Sequence, residues 1–316
     1  MILLHIYTGG KTGGHITPII NLAKDDYDYL YIGCKGFLEE KLAKDNNISF
    51  LGLKFKKSIP SYIFNGYREL KRNLKNKKID YVFSTGGFVS LPILFYAVIH
   101  NIPIFLFEPN IIIGRSNRLF YPFCKRMLLG YPVLEKRKTT VTGIPLDIKK
   151  AWLKNKYDIL IMGGSLGSRY LCDLAVSLSD KYRILLIAGR FYNEYRELCN
   201  SIEYSNNIYS LFEESKIIIS RSGAITSSEL IYMNKPFILV PSEKTLDNHQ
   251  VINAKYFNDK GVCLVHYENE DINSIFDKLH YLNNSDNYIN IYINQKKLLS
   301  NDSINKIREI IKNDIC

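Results

Sequence analysis

The sequence predicts an α/β chain made of two doubly wound parallel-sheet domains, and three observations carry that prediction. The chain has 316 residues, which at roughly 100 to 200 residues per domain is enough for two cores. Short apolar runs alternate with helical patterns in both halves. Glycine clusters stand where those runs end, the place at which a parallel sheet turns into helices.

In the first half the runs are Leu3 to Tyr7, Tyr29 to Ile32, Tyr81 to Phe83, Ile104 to Phe107 and Met127 to Leu129. The second half repeats the pattern with Ile159 to Met162, Ile184 to Ile187, Ile217 to Ile219, Phe237 to Val240 and Val262 to Val265. Strands covered by helices on both faces read as continuous apolar runs, as these do. The boundary is expected near Gly143-Ile144-Pro145, giving domains 1–147 and 148–316. From Asn273 to Lys312 the pattern is helical. Its last periodic stretch, Ser303 to Ile311, reads as a final amphipathic helix that is expected to pack back on the N-terminal domain.

Composition excludes several classes. With 46% hydrophobic and 23% charged residues the chain is neither disordered nor fibrous. Six cysteines stand singly, at 34, 124, 172, 199, 263 and 316, without metal-ligand spacing, which predicts a reduced compartment and no protein metal site. The start lacks a basic leader region and reads as a strand, so export is not expected. Phe88 to Phe107 is long enough to span a bilayer, but Ser90, Pro92, His100, Asn101 and Pro103 interrupt it, and a buried helix followed by a buried strand fits better. The net charge of +11 points to an anionic partner: a phosphorylated ligand, a membrane surface or nucleic acid.

The glycine turns narrow this. Thr8-Gly9-Gly10-Lys11-Thr12-Gly13-Gly14-His15 follows the first strand, Ser84-Thr85-Gly86-Gly87 the third, Gly163-Gly164-Ser165-Leu166-Gly167-Ser168 the first strand of the second half, and Arg221-Ser222-Gly223-Ala224 the third. Helix N-termini at such turns favour phosphate. Gly10-Lys11-Thr12 superficially suggests a P-loop, but that motif needs a glycine where His5 stands. A nucleotide diphosphate suits the run from Ala224 to Glu229, whose carboxylate is able to accept two hydrogen bonds from a ribose diol. His15, at a helix start, suits a base or a charge stabiliser. Gln250, after His249, lies where an amide reads sugar hydroxyls.

These segments, with Glu108-Pro109-Asn110, Thr142-Gly143-Ile144-Pro145 and Asn248-His249-Gln250, follow one another in an order that resembles the MurG family of peptidoglycan N-acetylglucosaminyltransferases over residues 8 to about 262. The resemblance implies a GT-B fold, two Rossmann-like domains facing across a cleft, with the acceptor and membrane in the N-terminal domain and the UDP-sugar in the C-terminal one. It implies inverting transfer of N-acetylglucosamine from UDP-N-acetylglucosamine to the C4 hydroxyl of the muramyl sugar of lipid I, giving lipid II and UDP. The protein would sit peripherally on the cytoplasmic face of a bacterial cell membrane. By position, the resemblance makes His15 the catalytic histidine. It puts Thr12, Gly13, Gly14, Asn110, Ser165, the segment Ala224, Ile225, Thr226, Ser227, Ser228 and Glu229, and Gln250 at the donor. No cofactor is implied; a divalent ion at the diphosphate is unassigned.

Three positions depart from the family: Lys11 replaces a loop glycine, Asp147 stands where an arginine is usual, and the segment before Lys216 is shortened, so the uracil contact has no assigned residue. From Lys54 to Lys78 nine Lys and Arg face one Glu, interleaved with apolar residues. Ile63, Phe64, Tyr67, Arg68, Leu70, Lys71, Arg72 and Lys75 are the expected membrane-associating set, apolar anchors ringed by cations against an anionic leaflet. The bland alternative is a core helix with a solvated basic side. Nucleic acid is not expected as a partner, since no recognised module accompanies the charge. Open alternatives are a related enzyme with another lipid acceptor and a UDP-sugar-binding protein without turnover.

Overall fold

Every strand pairing among the described residues is parallel, and the order of the strands decides where the glycine loops stand. The computed structural model describes residues 3–315 except 11, 12, 25, 27, 56, 57, 133–135, 149–153, 165, 166, 206 and 299–301. The chain divides into two compact units, Met1–Asp147 with Ser300–Cys316, and Ile148–Leu299.

The first unit contains β1 (Leu4–Thr8), α1 (Gly13–Ala23), β2 (Tyr29–Cys34), α2 (Leu38–Asp45), β3 (Phe50–Leu53), α3 (Ile59–Asn73), β4 (Ile79–Ser84), α4 (Leu91–Ile99), β5 (Ile104–Glu108), α5 (Arg115–Phe120), β6 (Arg126–Leu129) and β7 (Thr139–Val141). Its sheet has the order β3-β2-β1-β4-β5-β6-β7. The strand order reverses between β1 and β4, the kind of point in an open parallel sheet beyond whose carboxyl ends ligands bind. β5 is buried along its whole length, as a strand covered on both faces should be. Ile6, Ile32, Val82, Leu106 and Met127 from the strands pack with Tyr62, Leu70, Ile93, Leu94 and Ala97 from α3 and α4.

The second unit contains β8 (Tyr157–Met162), α6 (Arg169–Leu178), β9 (Ile184–Ile187), α7 (Tyr192–Tyr195), β10 (Ser201–Ile202), α8 (Ile208–Glu213), β11 (Ser215–Ser220), α9 (Ala224–Tyr232), β12 (Phe237–Leu239), α10 (His249–Asp259), β13 (Leu264–Val265), α11 (Asn273–Asn283) and α12 (Ser285–Leu298). Its sheet, in the order β10-β9-β8-β11-β12-β13, reverses between β8 and β11. Ile159, Ile161, Ile217, Ile219 and Ile238 are covered by Leu171, Leu174 and Leu178 of α6 and by Ile275 and Leu279 of α11.

The last helix, α13 (Ser303–Ile315), groups with the first unit. Ile307 and Ile311 are buried, Asp314 receives both Nε and Nη2 of Arg126 at 2.5 and 2.7 Å, and Arg308 donates to the Leu22 carbonyl.

The sequence pattern found ten of the strands to within about two residues at each end. It missed β3, β7 and β10, and each of these is an edge strand. An edge strand is short and covered less completely, so it carries less of the apolar run that betrays a central one. The expected buried helix of the Phe88 to Phe107 stretch is α4, but it is not buried all round: Phe95 and Ile99 are 43% and 48% exposed. No helix among the described residues is long and apolar enough to cross a membrane.

Candidate active site

In the first unit, the loop after β1 and the loop after β4 are locked together beyond the carboxyl ends of their strands. Gly9 has φ +151°, and a Cβ there would lie 1.9 Å from Thr85 Oγ1, so only glycine lets the two loops touch. His15 stands in the first turn of α1, half-buried. Its Nδ1 donates to the Thr85 carbonyl at 2.8 Å, while the Thr85 hydroxyl donates to the His15 carbonyl at 2.7 Å. A neutral imidazole with its proton on Nδ1 carries its lone pair on Nε2, the state a general base requires. Gly13 and Gly14 open the same helix; Thr12, like Lys11, lies outside the described residues.

Asn110 sits in the turn after β5, and a buried carboxylate shapes that turn. Glu108 Oε1 accepts from the Asn110 backbone and side-chain amides at 3.1 and 2.9 Å, and Oε2 from Gly114 N at 2.8 Å and Asn117 Nδ2 at 2.9 Å. Four donors on one carboxylate fix the loop from 109 to 114. Reading the sequence gave Glu108 no role of its own, since its four partners are assembled only by the fold.

In the second unit, the loop after β8 folds tightly enough that a Cβ on Gly163 would meet Ser168 N at 2.4 Å. Ser165 and Leu166 lie outside the described residues. Ser168 caps α6 by accepting from Leu171 N. Arg221, just after β11, joins the neighbouring loops: it donates to Ser168 Oγ at 2.5 Å and to the Val240 carbonyl at 3.0 Å, and pairs with Glu268 at 2.5 Å. Gln250 is held across the same edge, its Oε1 accepting from Ser242 N at 2.9 Å and its carbonyl from Ser222 Oγ at 2.8 Å. With that oxygen committed, the Gln250 carboxamide offers N–H groups to a ligand. The Arg221 junction also escaped the sequence reading, because Glu268 is far away in the chain.

The segment from Ala224 to Glu229 forms the start of α9, and its burial corrects part of the expectation. Ala224, Ile225, Ser227 and Ser228 are all buried, with Ser227 and Ser228 at 0% exposure. The Ser228 hydroxyl turns back to the Ala224 carbonyl at 2.6 Å. A ligand at this helix start therefore meets backbone amides and the half-buried Thr226, not the hydroxyls of Ser227 and Ser228. Glu229 is 7% exposed and accepts a hydrogen bond from Tyr209 Oη at 2.9 Å. Burial pushes its carboxyl up to about 7, and the Tyr209 hydroxyl pulls the other way.

Asp147, where a cation was expected, pairs with Lys24 Nζ at 2.8 Å within the first unit. No group of His, Cys, Asp and Glu among the described residues has metal-holding geometry.

The basic helix α3 also needs correction. Leu70 has no exposed surface and lies in the core; Ile63 and Tyr67 pack against that core, half-buried. A residue sealed in the core has no surface to give to a bilayer. The exposed apolar groups are instead Phe64 at 63% and Ile59 on α3, with Phe95 and Ile99 on α4, the two helices being joined by the Tyr67–Phe95 ring contact. Arg68 stands over the Phe64 ring at 5.8 Å, and Lys71, Arg72 and Lys75 are exposed.

The chain resembles known proteins over nearly its full length. A Clostridium botulinum (strain Langeland) protein named UDP-N-acetylglucosamine--N-acetylmuramyl-(pentapeptide) pyrophosphoryl-undecaprenol N-acetylglucosamine transferase is 32% identical, covering 97% of this chain and 98% of the relative. A protein of the same name from Clostridium tetani is also 32% identical, covering 97% of each. The crystal structure of Acinetobacter baumannii MurG superposes with a TM-score of 0.79 at 20% identity, covering 99% of this chain and all of that one, which extends the likeness to the two-Rossmann-unit GT-B fold. The pattern described as Glycosyltransferase family 28 N-terminal domain matches residues 5–129, and that described as Glycosyltransferase family 28 C-terminal domain matches residues 158–313. Two parallel sheets, each with its glycine loops at the point where strand order reverses, together with these matches, establish that the chain belongs to glycosyltransferase family 28.

Proposed function

We propose that this glycosyltransferase moves N-acetylglucosamine from UDP-N-acetylglucosamine to the C4 hydroxyl of the muramyl sugar of lipid I, releasing UDP and forming lipid II. The observation that carries the site chemistry is the His15 ring, held through Nδ1 by the Thr85 carbonyl where the strand order of the first sheet reverses. The relatives' names support the substrates.

In this reading the second unit holds the donor. Amides at the start of α9 and in the loop closing on Ser168 take the diphosphate, Glu229 the ribose diol, and the Gln250 N–H groups the sugar hydroxyls. The first unit supplies His15, whose Nε2 takes the proton of the acceptor hydroxyl. The acceptor oxygen bonds to the anomeric carbon as the bond to the diphosphate breaks on the opposite face, which inverts the centre and sends the electron pair out on UDP. Of the other residues that the resemblance puts at the donor, Gly13, Gly14 and Asn110 belong to the first unit, and Thr12 and Ser165 lie outside the described residues.

The same unit docks peripherally on the anionic cytoplasmic face of the cell membrane, where a lipid-linked acceptor is reached. Phe64, with Ile59, Phe95 and Ile99, enters the interface, and Arg68, Lys71, Arg72 and Lys75 meet the headgroups.

The test is incubation of the purified chain with UDP-N-acetylglucosamine and a short-chain lipid I analogue, with UDP release and the disaccharide lipid followed by mass spectrometry. Product at the mass of the disaccharide lipid supports the reading. UDP-sugar binding without product, in conditions where an active relative turns over, overturns it in favour of another acceptor or a binding role.

A further inference from the structure

We infer that Tyr209 is a positioning residue for the donor ribose: its hydroxyl holds one oxygen of Glu229, so that the carboxylate turns a fixed edge towards the diol. The inference rests on the donor site proposed above.

The geometry is specific. Glu229 is the sixth residue of α9, 7% exposed, and a buried carboxylate without donors is costly. Tyr209, on α8, donates to Oε1 at 2.9 Å, and its ring is fixed edge-on by Phe212 of the same helix, itself at 0% exposure. With Oε1 engaged, Oε2 is directed by the same bond, since a carboxylate is planar and one anchored oxygen sets the other's direction.

Neighbouring charged and titratable groups are occupied elsewhere. Glu213 of α8 faces the ammonium of Lys235 at 4.0 Å, and that ammonium also donates to the Glu213 and Ser215 carbonyls. Tyr288 of α12, which packs on α9, donates to the Asn234 carbonyl. Among the described residues Tyr209 is thus the side chain that hydrogen-bonds the Glu229 carboxylate.

The consequence is a donor affinity that depends on pH through this pair. Only the ionised carboxylate accepts from both ribose hydroxyls; burial raises the pH at which it ionises, and the Tyr209 bond lowers it. UDP affinity should therefore fall as pH drops below about 7. Removing the hydroxyl should move that inflection upwards.

The experiment is calorimetric titration of the full chain with UDP and with 2′-deoxy-UDP between about pH 6 and about pH 9. For Tyr209→Phe the inflection for UDP moves to higher pH, and UDP binding at neutral pH weakens about tenfold, the worth of one hydrogen bond to a charged group. In turnover the loss appears in KM for UDP-N-acetylglucosamine rather than in kcat. Preference for UDP over 2′-deoxy-UDP shrinks by a similar factor. In Glu229→Gln the inflection disappears, and adding Tyr209→Phe changes nothing further. An unmoved inflection in Tyr209→Phe, or equal weakening of both nucleotides, overturns the inference and leaves the tyrosine a structural role. If the unsubstituted chain binds neither nucleotide, the donor-site reading itself falls, and the inference with it.

Discussion

His15 is a residue whose chemistry is fixed by a neighbour seventy positions away. The carbonyl of Thr85 takes Nδ1, and the hydroxyl of Thr85 bonds back to the His15 backbone, so the imidazole has one tautomer and one direction. His15→Ala should lower kcat by roughly 100- to 1,000-fold, the range of general-base loss, with little change in KM for the donor. Steady-state UDP release measures both; an unchanged kcat would show that the base is another group. The identity of His15 as a candidate was legible from its place after two glycines. Its tautomer was not, because the Thr85 carbonyl becomes its partner only when β1 and β4 pair. Glu108 and the Arg221–Glu268 pair were hidden for the same reason: ordinary charged residues in sequence, they gather partners from several loops.

At the scale of elements, α3 shows how far helical spacing alone can be trusted. Ile63, Tyr67 and Leu70 of the expected membrane-associating set share a face, but it is the face that packs on the core. Apolar stripes on a helix are core-facing by default, and the membrane-facing candidate is the residue that breaks the stripe, Phe64. Phe95 and Ile99 were assigned to a buried helix because α4 is apolar all round; only the packing of the two helices shows which side is left open. Two substitutions separate the roles. Leu70→Ala should destabilise the chain by about 2 to 4 kcal/mol in urea denaturation and leave vesicle binding per folded molecule unchanged. Phe64→Ser should leave the urea midpoint nearly unchanged and lower retention on vesicles containing anionic lipid. Equal retention of both proteins would remove α3 from the membrane contact.

Over the whole molecule, the alternation of apolar runs was enough to give two parallel sheets, since central strands buried on both faces write themselves plainly into sequence. Three of the four edge strands, β3, β7 and β10, were faint, while the fourth, β13, stood out as an apolar run. Arg126 and Asp314, 188 positions apart, join α13 to the first unit beside the buried Ile307 and Ile311. That pair ties stability to pH. The Arg126 guanidinium bonded to Asp314 holds its carboxyl below the usual range, against the opposing effect of burial. A carboxyl depressed in the folded state stabilises fully above its unfolded value of about 3.9, and that contribution is lost as pH falls through the folded value. Asp314→Asn should therefore cost roughly 1 to 2 kcal/mol at neutral pH. The difference from the unsubstituted chain should shrink as pH falls below the usual carboxylate range, read from urea midpoints at neutral and at acid pH. A difference that persisted in acid would locate the stabilisation in packing rather than in charge.

The return of α13 also sets an order of events during synthesis. Residues 1–147 emerge from the ribosome with their sheet strands in hand, but Leu22 and the beginning of β4 have no helix over them until all of the second unit has been translated and 303–315 follow. A domain generally folds as its chain emerges, N-terminal part first, and surface left uncovered in that interval is what chaperones bind and what aggregates. The first unit is therefore the earlier to begin folding and the later to finish, and a nascent chain stalled within the second unit would carry an open flank on the first.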